Sequence, residues 1–159
     1  MAVVAMFTLG QWMVDLGYYH TWYYQAPYVH KSIGATLFIL TIIRLIWRLL
    51  NKVPNYLPSH STFEQMAAKA VHLLLYVLLF CVMISGYLIS TANGQPLIVF
   101  NWFKVPAILH GIEHQADIAG KAHWICAIGL ISVAGLHLLA ALKHHLIDKD
   151  RTLHRMLGR

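Results

Sequence analysis

A chain of 159 residues that is 58% hydrophobic and 11% charged, with a mean hydropathy of +0.58, has too little polar surface to cover a soluble globule of its size. That excludes a soluble enzyme and points to a bilayer. The net charge of +6 does not mark a nucleic-acid binder, because no basic groove with interleaved aromatics accompanies it.

Four apolar stretches, residues 1–19, 33–50, 71–91 and 122–142, each approach the ~20 residues that cross ~30 Å of hydrocarbon. They predict an all-α, integral membrane four-helix bundle with transmembrane helices at about 1–19, 29–50, 67–91 and 122–145, one domain over residues 1–159. The first stretch lacks a basic start and a small-residue cleavage site and contains Trp12 and Asp15, so it reads as a retained helix, not a signal peptide. Its abrupt apolar opening predicts a short natural segment upstream of Met1.

Trp22, Tyr23, Tyr24 and Tyr28 crowd the first loop, where amphipathic rings favour the headgroup level. The next loop, residues 51–70, carries the breakers Pro54 and Pro58, and Ser61 with Glu64 offers a capping box for the third helix. The third loop, residues 92–121, opens with the turn pair Asn93-Gly94 and continues through Pro96 and Pro106. A connection this long either caps a site or closes the bundle.

Nine Lys and Arg fall on one side of the predicted spans (Arg44, Arg48, Lys52, Lys69, Lys143, Lys149, Arg151, Arg155, Arg159) and three on the other (Lys31, Lys104, Lys121). The positive-inside rule then puts both termini in the cytoplasm. Cys81 and Cys126 lie in apolar segments without CxxC spacing and read as small hydrophobes.

Eleven histidines are the anomaly, because imidazole is costly in lipid and intramembrane ionisable residues usually have a task. His123 and His137 stand fourteen residues apart on the fourth helix; at ~100° and ~1.5 Å per residue they share a face within ~40° and lie ~21 Å apart. That is the spacing for two stacked haems on one helix. His30 opens the second helix level with His123 and supplies the outer partner. His72, near the start of the third helix, is level with His137 and is either the inner partner or an interhelical hydrogen-bonding residue. Neutral imidazole suits an axial haem position, with its second nitrogen oriented by a neighbouring acceptor. His20, His60, His110, His114 and His154 fall in loops or the tail and read as surface residues.

Gly34, one turn after His30, and Gly86, fourteen after His72, remove side chains where a macrocycle would press, or simply let helices pack. Arg44 lies on the His30 face near the inner surface and is a candidate partner for haem propionates, whereas Arg48 reads as snorkelling to headgroups.

The stretches HKSIGATLFILTIIRLIWR from His30, HLLLYVLLFCVMISGYLISTANGQP from His72 and HWICAIGLISVAGLHLLAALKHHLIDKDRTLHRM from His123 resemble the bacterial cytochrome b561 family. Its four-helix di-haem core is shared with cytochrome subunits of membrane hydrogenases and formate dehydrogenases. The resemblance implies one or two haem b and axial histidines from the fourth helix (His123, His137) and the start of the second (His30). It also implies a fourth ligand at the start of the first helix, which has no counterpart after Met1; His72 is the alternative within this chain. The family's similarity to a superoxide-oxidising enzyme implies electron flow from an outer donor, superoxide among the candidates, to ubiquinone in the bacterial inner membrane. Lys31 and Lys121 would then steer an anion to the outer mouth, and Lys143, His144 and His145 would serve the quinone side. A haem-bearing anchor or electron-transfer subunit of a larger dehydrogenase or hydrogenase complex is the alternative. A haem-free transporter would need broken helices at the midplane, and none is evident.

Overall fold

Helix-forming residues, polar caps and glycine breaks set the elements of the computed structural model, which describes residues 2–51 and 61–149. The chain forms α1 (Ala2–Val14), α2 (Gln25–Leu50), α3 (Thr62–Thr91), a hairpin of β1 (Leu97–Val99) and β2 (Phe103–Val105), and α4 (Gln115–Leu146). Expectations resting on Met1, Lys52, Pro54, Pro58, His60, Arg151, His154, Arg155 and Arg159 lie outside the described residues.

α1 stops at Val14 rather than near residue 19, because Asp15 and Gly17 break it and the chain turns with His20 N–H donating to Gly17 O at 2.9 Å. α2 begins four residues earlier than expected, with Pro27 in its first turn, where a missing N–H costs nothing. α3 starts at the expected capping box: Ser61 N–H donates to Glu64 Oε2 at 2.8 Å, and Glu64 N–H donates to Ser61 Oγ at 3.3 Å. It ends before Asn93-Gly94, where Gly94 adopts φ +74°. α4 opens seven residues before the expected start.

α2, α3 and α4 are long and apolar enough to cross a membrane, and only 6%, 6% and 11% of their most apolar windows is shielded inside the protein. Large side chains such as Leu50 and Phe63 are 79% exposed. This is the surface of a bundle solvated by hydrocarbon. The protein is a multi-pass membrane protein.

Each helix packs on its neighbours in chain order, and α1 closes the ring against α4, so that α2 and α4 face each other diagonally. α3 and α4 share the most extensive interface. Their antiparallel register is marked by Ser85 beside His123, Leu78 beside Gly129, and His72 beside His137.

Among the described residues, the long loop holds the one element absent from the sequence-based expectations. β1 and β2 pair antiparallel, with Leu97 opposite Val105 and Val99 opposite Phe103. Their turn places Phe100 and Asn101 at φ +47° and +59°, the primed geometry whose twist matches a hairpin.

Candidate cofactor site

The half of the bundle nearer the hairpin, expected from the distribution of Lys and Arg to be the outer half, contains a cavity of about 1050 Å³, at the upper end of the range for cofactor pockets. Gly10 from α1, His30 and Phe38 from α2, Gly86 from α3, and His123 and Leu130 from α4 all line it. Leu97, Phe103 and Val105 of the hairpin line the same space, so the long loop caps this cavity. Three side chains, Ser32, Tyr87 and Gln115, hold the cap. Phe100 N–H donates to the buried Ser32 hydroxyl at 3.2 Å. Tyr87 Oη donates to Pro106 O at 2.6 Å and accepts from Ile108 N–H at 2.9 Å. Gln115 Nε2 donates to Leu88 O and Leu109 O, each at 3.0 Å.

His30 and His123, on diagonal helices, face each other across this space with ring centroids 6.3 Å apart and planes at 71°. A ligating imidazole nitrogen stands ~2.0 Å from its metal and the ring centre roughly 1.1 Å beyond, so two rings astride one metal need about 6.2 Å. The observed separation meets that requirement. His123 Nδ1 lies 2.8 Å from Val82 O and 3.3 Å from Ser85 Oγ. A carbonyl only accepts, so Nδ1 carries the hydrogen and Nε2 keeps its lone pair for a metal. His30 Nδ1 is buried without a hydrogen-bond partner, a costly state that marks a site built around something more than protein.

Two glycines make room for these rings. A Cβ at Gly86 would stand 3.1 Å from His123 Cε1, and one at Gly10 would stand 3.2 Å from His30 Cε1. A Cβ at Gly34 would meet only Met6 Cε, at 3.8 Å. Gly34 lines the cavity, but the close approach to His30 comes from Gly10, which sequence reasoning missed. Its signal was an isolated glycine inside an apolar helix.

The inner pair differs. His72 and His137 have ring centroids 5.1 Å apart at 75°, in direct edge contact on the two most closely packed helices. That is too short for a metal between them as packed.

Arg44 is exposed. The Arg48 guanidinium stacks over Tyr76 of α3 at 5.4 Å, a cation–π contact. Lys31 is exposed at the cavity rim; Lys121 is exposed and outside the cavity lining. Lys143 and His144 gather at the inner end of α4 around Asp148 Oδ2, at 2.6 and 2.8 Å, with His145 half-buried beside them. Tyr18, Tyr23 and Tyr24 form an edge-to-face cluster with centroids 5.0–6.4 Å apart at the outer end. Cys81 and Cys126 are free thiols.

A family model described as prokaryotic cytochrome b561 matches residues 1–159. The chain belongs to the prokaryotic cytochrome b561 family. It is therefore a membrane b-type cytochrome. Among relatives, this cytochrome is 52% identical over 157 residues to cytochrome b561 homolog 2 of Escherichia coli K12, covering 99% of this chain and 84% of that protein. It is 31% identical over 129 residues to a probable superoxide oxidase CybB of Yersinia pestis, covering 81% and 73%. It is 28% identical over 130 residues to cytochrome b561 homolog 1 of E. coli K12, covering 82% and 73%.

Proposed function

We propose that this cytochrome carries electrons from a small donor at its outer face, superoxide being the leading candidate, to ubiquinone at its cytoplasmic face. Both termini are cytoplasmic in this reading, as the distribution of Lys and Arg requires. The net reaction is two superoxide plus one quinone plus two protons giving two dioxygen and one quinol. The observation that carries it is the His30–His123 pair at metal-spanning separation inside a capped, apolar cavity.

His30 and His123 are the residues that would hold the haem, and its chemistry would then be electron transfer without substrate bound to the metal. Haem, when bound, supplies a one-electron couple whose potential its surroundings tune. The Val82 carbonyl fixes the His123 ring and its tautomer. The hairpin and the apolar walls keep water from the cavity, while Lys31 at the rim attracts an anionic donor. At the inner level His137 would be a haem ligand, as the family resemblance implies. His72 stands in edge contact with His137, too close for a metal between the two rings as packed.

The test is the reduced-minus-oxidised spectrum of the purified protein with haem quantified per chain. His30→Ala and His123→Ala each lose the outer haem; His72→Ala keeps the wild-type haem count. Absence of haem from the wild type would overturn the reading. Superoxide-driven ubiquinone reduction by the purified chain alone separates it from an anchor subunit, which would be inactive without its partner.

A further inference from the structure

Val82, Ser85 and Gly86 share the face of α3 that meets α4, because three and four residues along a helix return to one side. The missing side chain of Gly86 lets the His123 ring lie close against the α3 backbone. A Cβ there would stand 3.1 Å from Cε1 and 3.3 Å from Nδ1. Nδ1 thereby reaches Val82 O at 2.8 Å and stands 3.3 Å from Ser85 Oγ. Ser85 is buried, with 6% of its surface exposed, and its hydroxyl has one hydrogen and two lone pairs. Oγ lies 2.6 Å from Cys81 O and 3.0 Å from Val82 O, so the hydrogen goes to the nearer carbonyl, that of Cys81. The lone pairs are left toward His123, whose Nδ1 carries a hydrogen because a carbonyl faces it. A separation of 3.3 Å is longer than a full N–H···O bond and suits the minor branch of a three-centre one. Across the cavity His30 Nδ1 is buried without a partner. Of the two rings, only His123 has its second nitrogen held by the protein.

We propose that Ser85 is a positioning residue for electron transfer at the His30–His123 site: it shares the His123 Nδ1 hydrogen with Val82 O, and this sharing lowers the redox potential there. An acceptor on Nδ1–H makes Nε2 a stronger electron donor and favours the ferric over the ferrous state of an iron that Nε2 ligates. Removing one of two acceptors weakens that donation and raises the potential. A serine that only bonded its own helix would leave the potential where it is. The proposal rests on the reading that His30 and His123 hold a haem.

The experiment is an equilibrium redox titration of the haem-loaded protein in detergent, with the component that disappears in His123→Ala assigned to this site. In Ser85→Ala that component moves to higher potential. Its ferrous-to-ferric ratio at a fixed ambient potential rises roughly two- to five-fold, the effect of losing part of one hydrogen bond. Any other component keeps its potential. Haem content and melting temperature stay at wild type, because alanine is a better helix former than serine. Ser85→Thr, whose hydroxyl can bond the same carbonyl four residues back, restores the wild-type potential. In the ferrous, diamagnetic protein with isotope-labelled histidine, the His123 Nδ1 proton resonance moves upfield in Ser85→Ala and returns in Ser85→Thr. An unchanged or lowered potential in Ser85→Ala would overturn the proposal. So would loss of haem with no shift in what remains, which marks a structural role. Wild-type protein that binds no haem, or whose haem all survives His123→Ala, would instead overturn the reading of the site and the proposal with it.

Discussion

A methyl group at position 86 would stand 3.1 Å from Cε1 and 3.3 Å from Nδ1 of His123, tighter than ordinary packing allows. The ring cannot swing aside without leaving the Val82 carbonyl. Gly86→Ala is therefore expected to cost about 1–3 kcal/mol at this site, read as at least a several-fold loss of outer haem per chain. Gly10→Ala acts in the same direction on His30. Gly34→Ala, with only a flexible methionine tip at 3.8 Å, leaves haem content unchanged. A reversal of that order would refute the account of which glycine faces which ring. Gly86 stood out in the sequence because helical periodicity carries it onto the His72 face. Gly10 did not, because the pairing of α1 against His30 is a contact between helices that no single-helix periodicity encodes.

The cap over the outer cavity is held by single residues whose partners are backbone groups. Tyr87→Phe removes the partner of both the Pro106 carbonyl and the Ile108 amide; both residues are exposed, so water takes the place of the hydroxyl and the cost is about 0.5–1.5 kcal/mol. Faster amide exchange at Ile108 is the expected result, with a lower melting temperature of the haem-loaded protein. Asn101→Val puts a β-branched residue at φ +59°, and the expected loss is about 1–2 kcal/mol, measured by thermal unfolding in detergent. Asn93-Gly94 and the Ser61–Glu64 box were legible as punctuation, because both are local hydrogen-bond chemistry. The hairpin was not, since its three-residue strands are too short to show alternation and exist because Ser32 and the cavity anchor them.

At the scale of the molecule, the large apolar side chains of α2, α3 and α4 face outward, and detergent or lipid replaces the water that a soluble fold would meet. Orientation follows from the basic residues and is open to direct measurement. In a Cys81→Ala, Cys126→Ala background, Glu113→Cys in the outer loop is expected to react in intact cells with a thiol reagent that cannot cross the inner membrane. Lys149→Cys is expected to react only after lysis. The opposite pattern would invert the electron path proposed above.

Sequence alone determined that this chain lives in a bilayer, where its helices run, and which histidines share a depth, because hydropathy and helical periodicity are properties of single segments. Only the tertiary structure decided which of those histidines stand apart by the width of a metal site. His30 and His123 do so because their helices are diagonal and glycines on α1 and α3 clear the space between them. His72 and His137, equal in depth, touch because α3 and α4 pack closely, and helix packing is settled by side chains far apart in sequence.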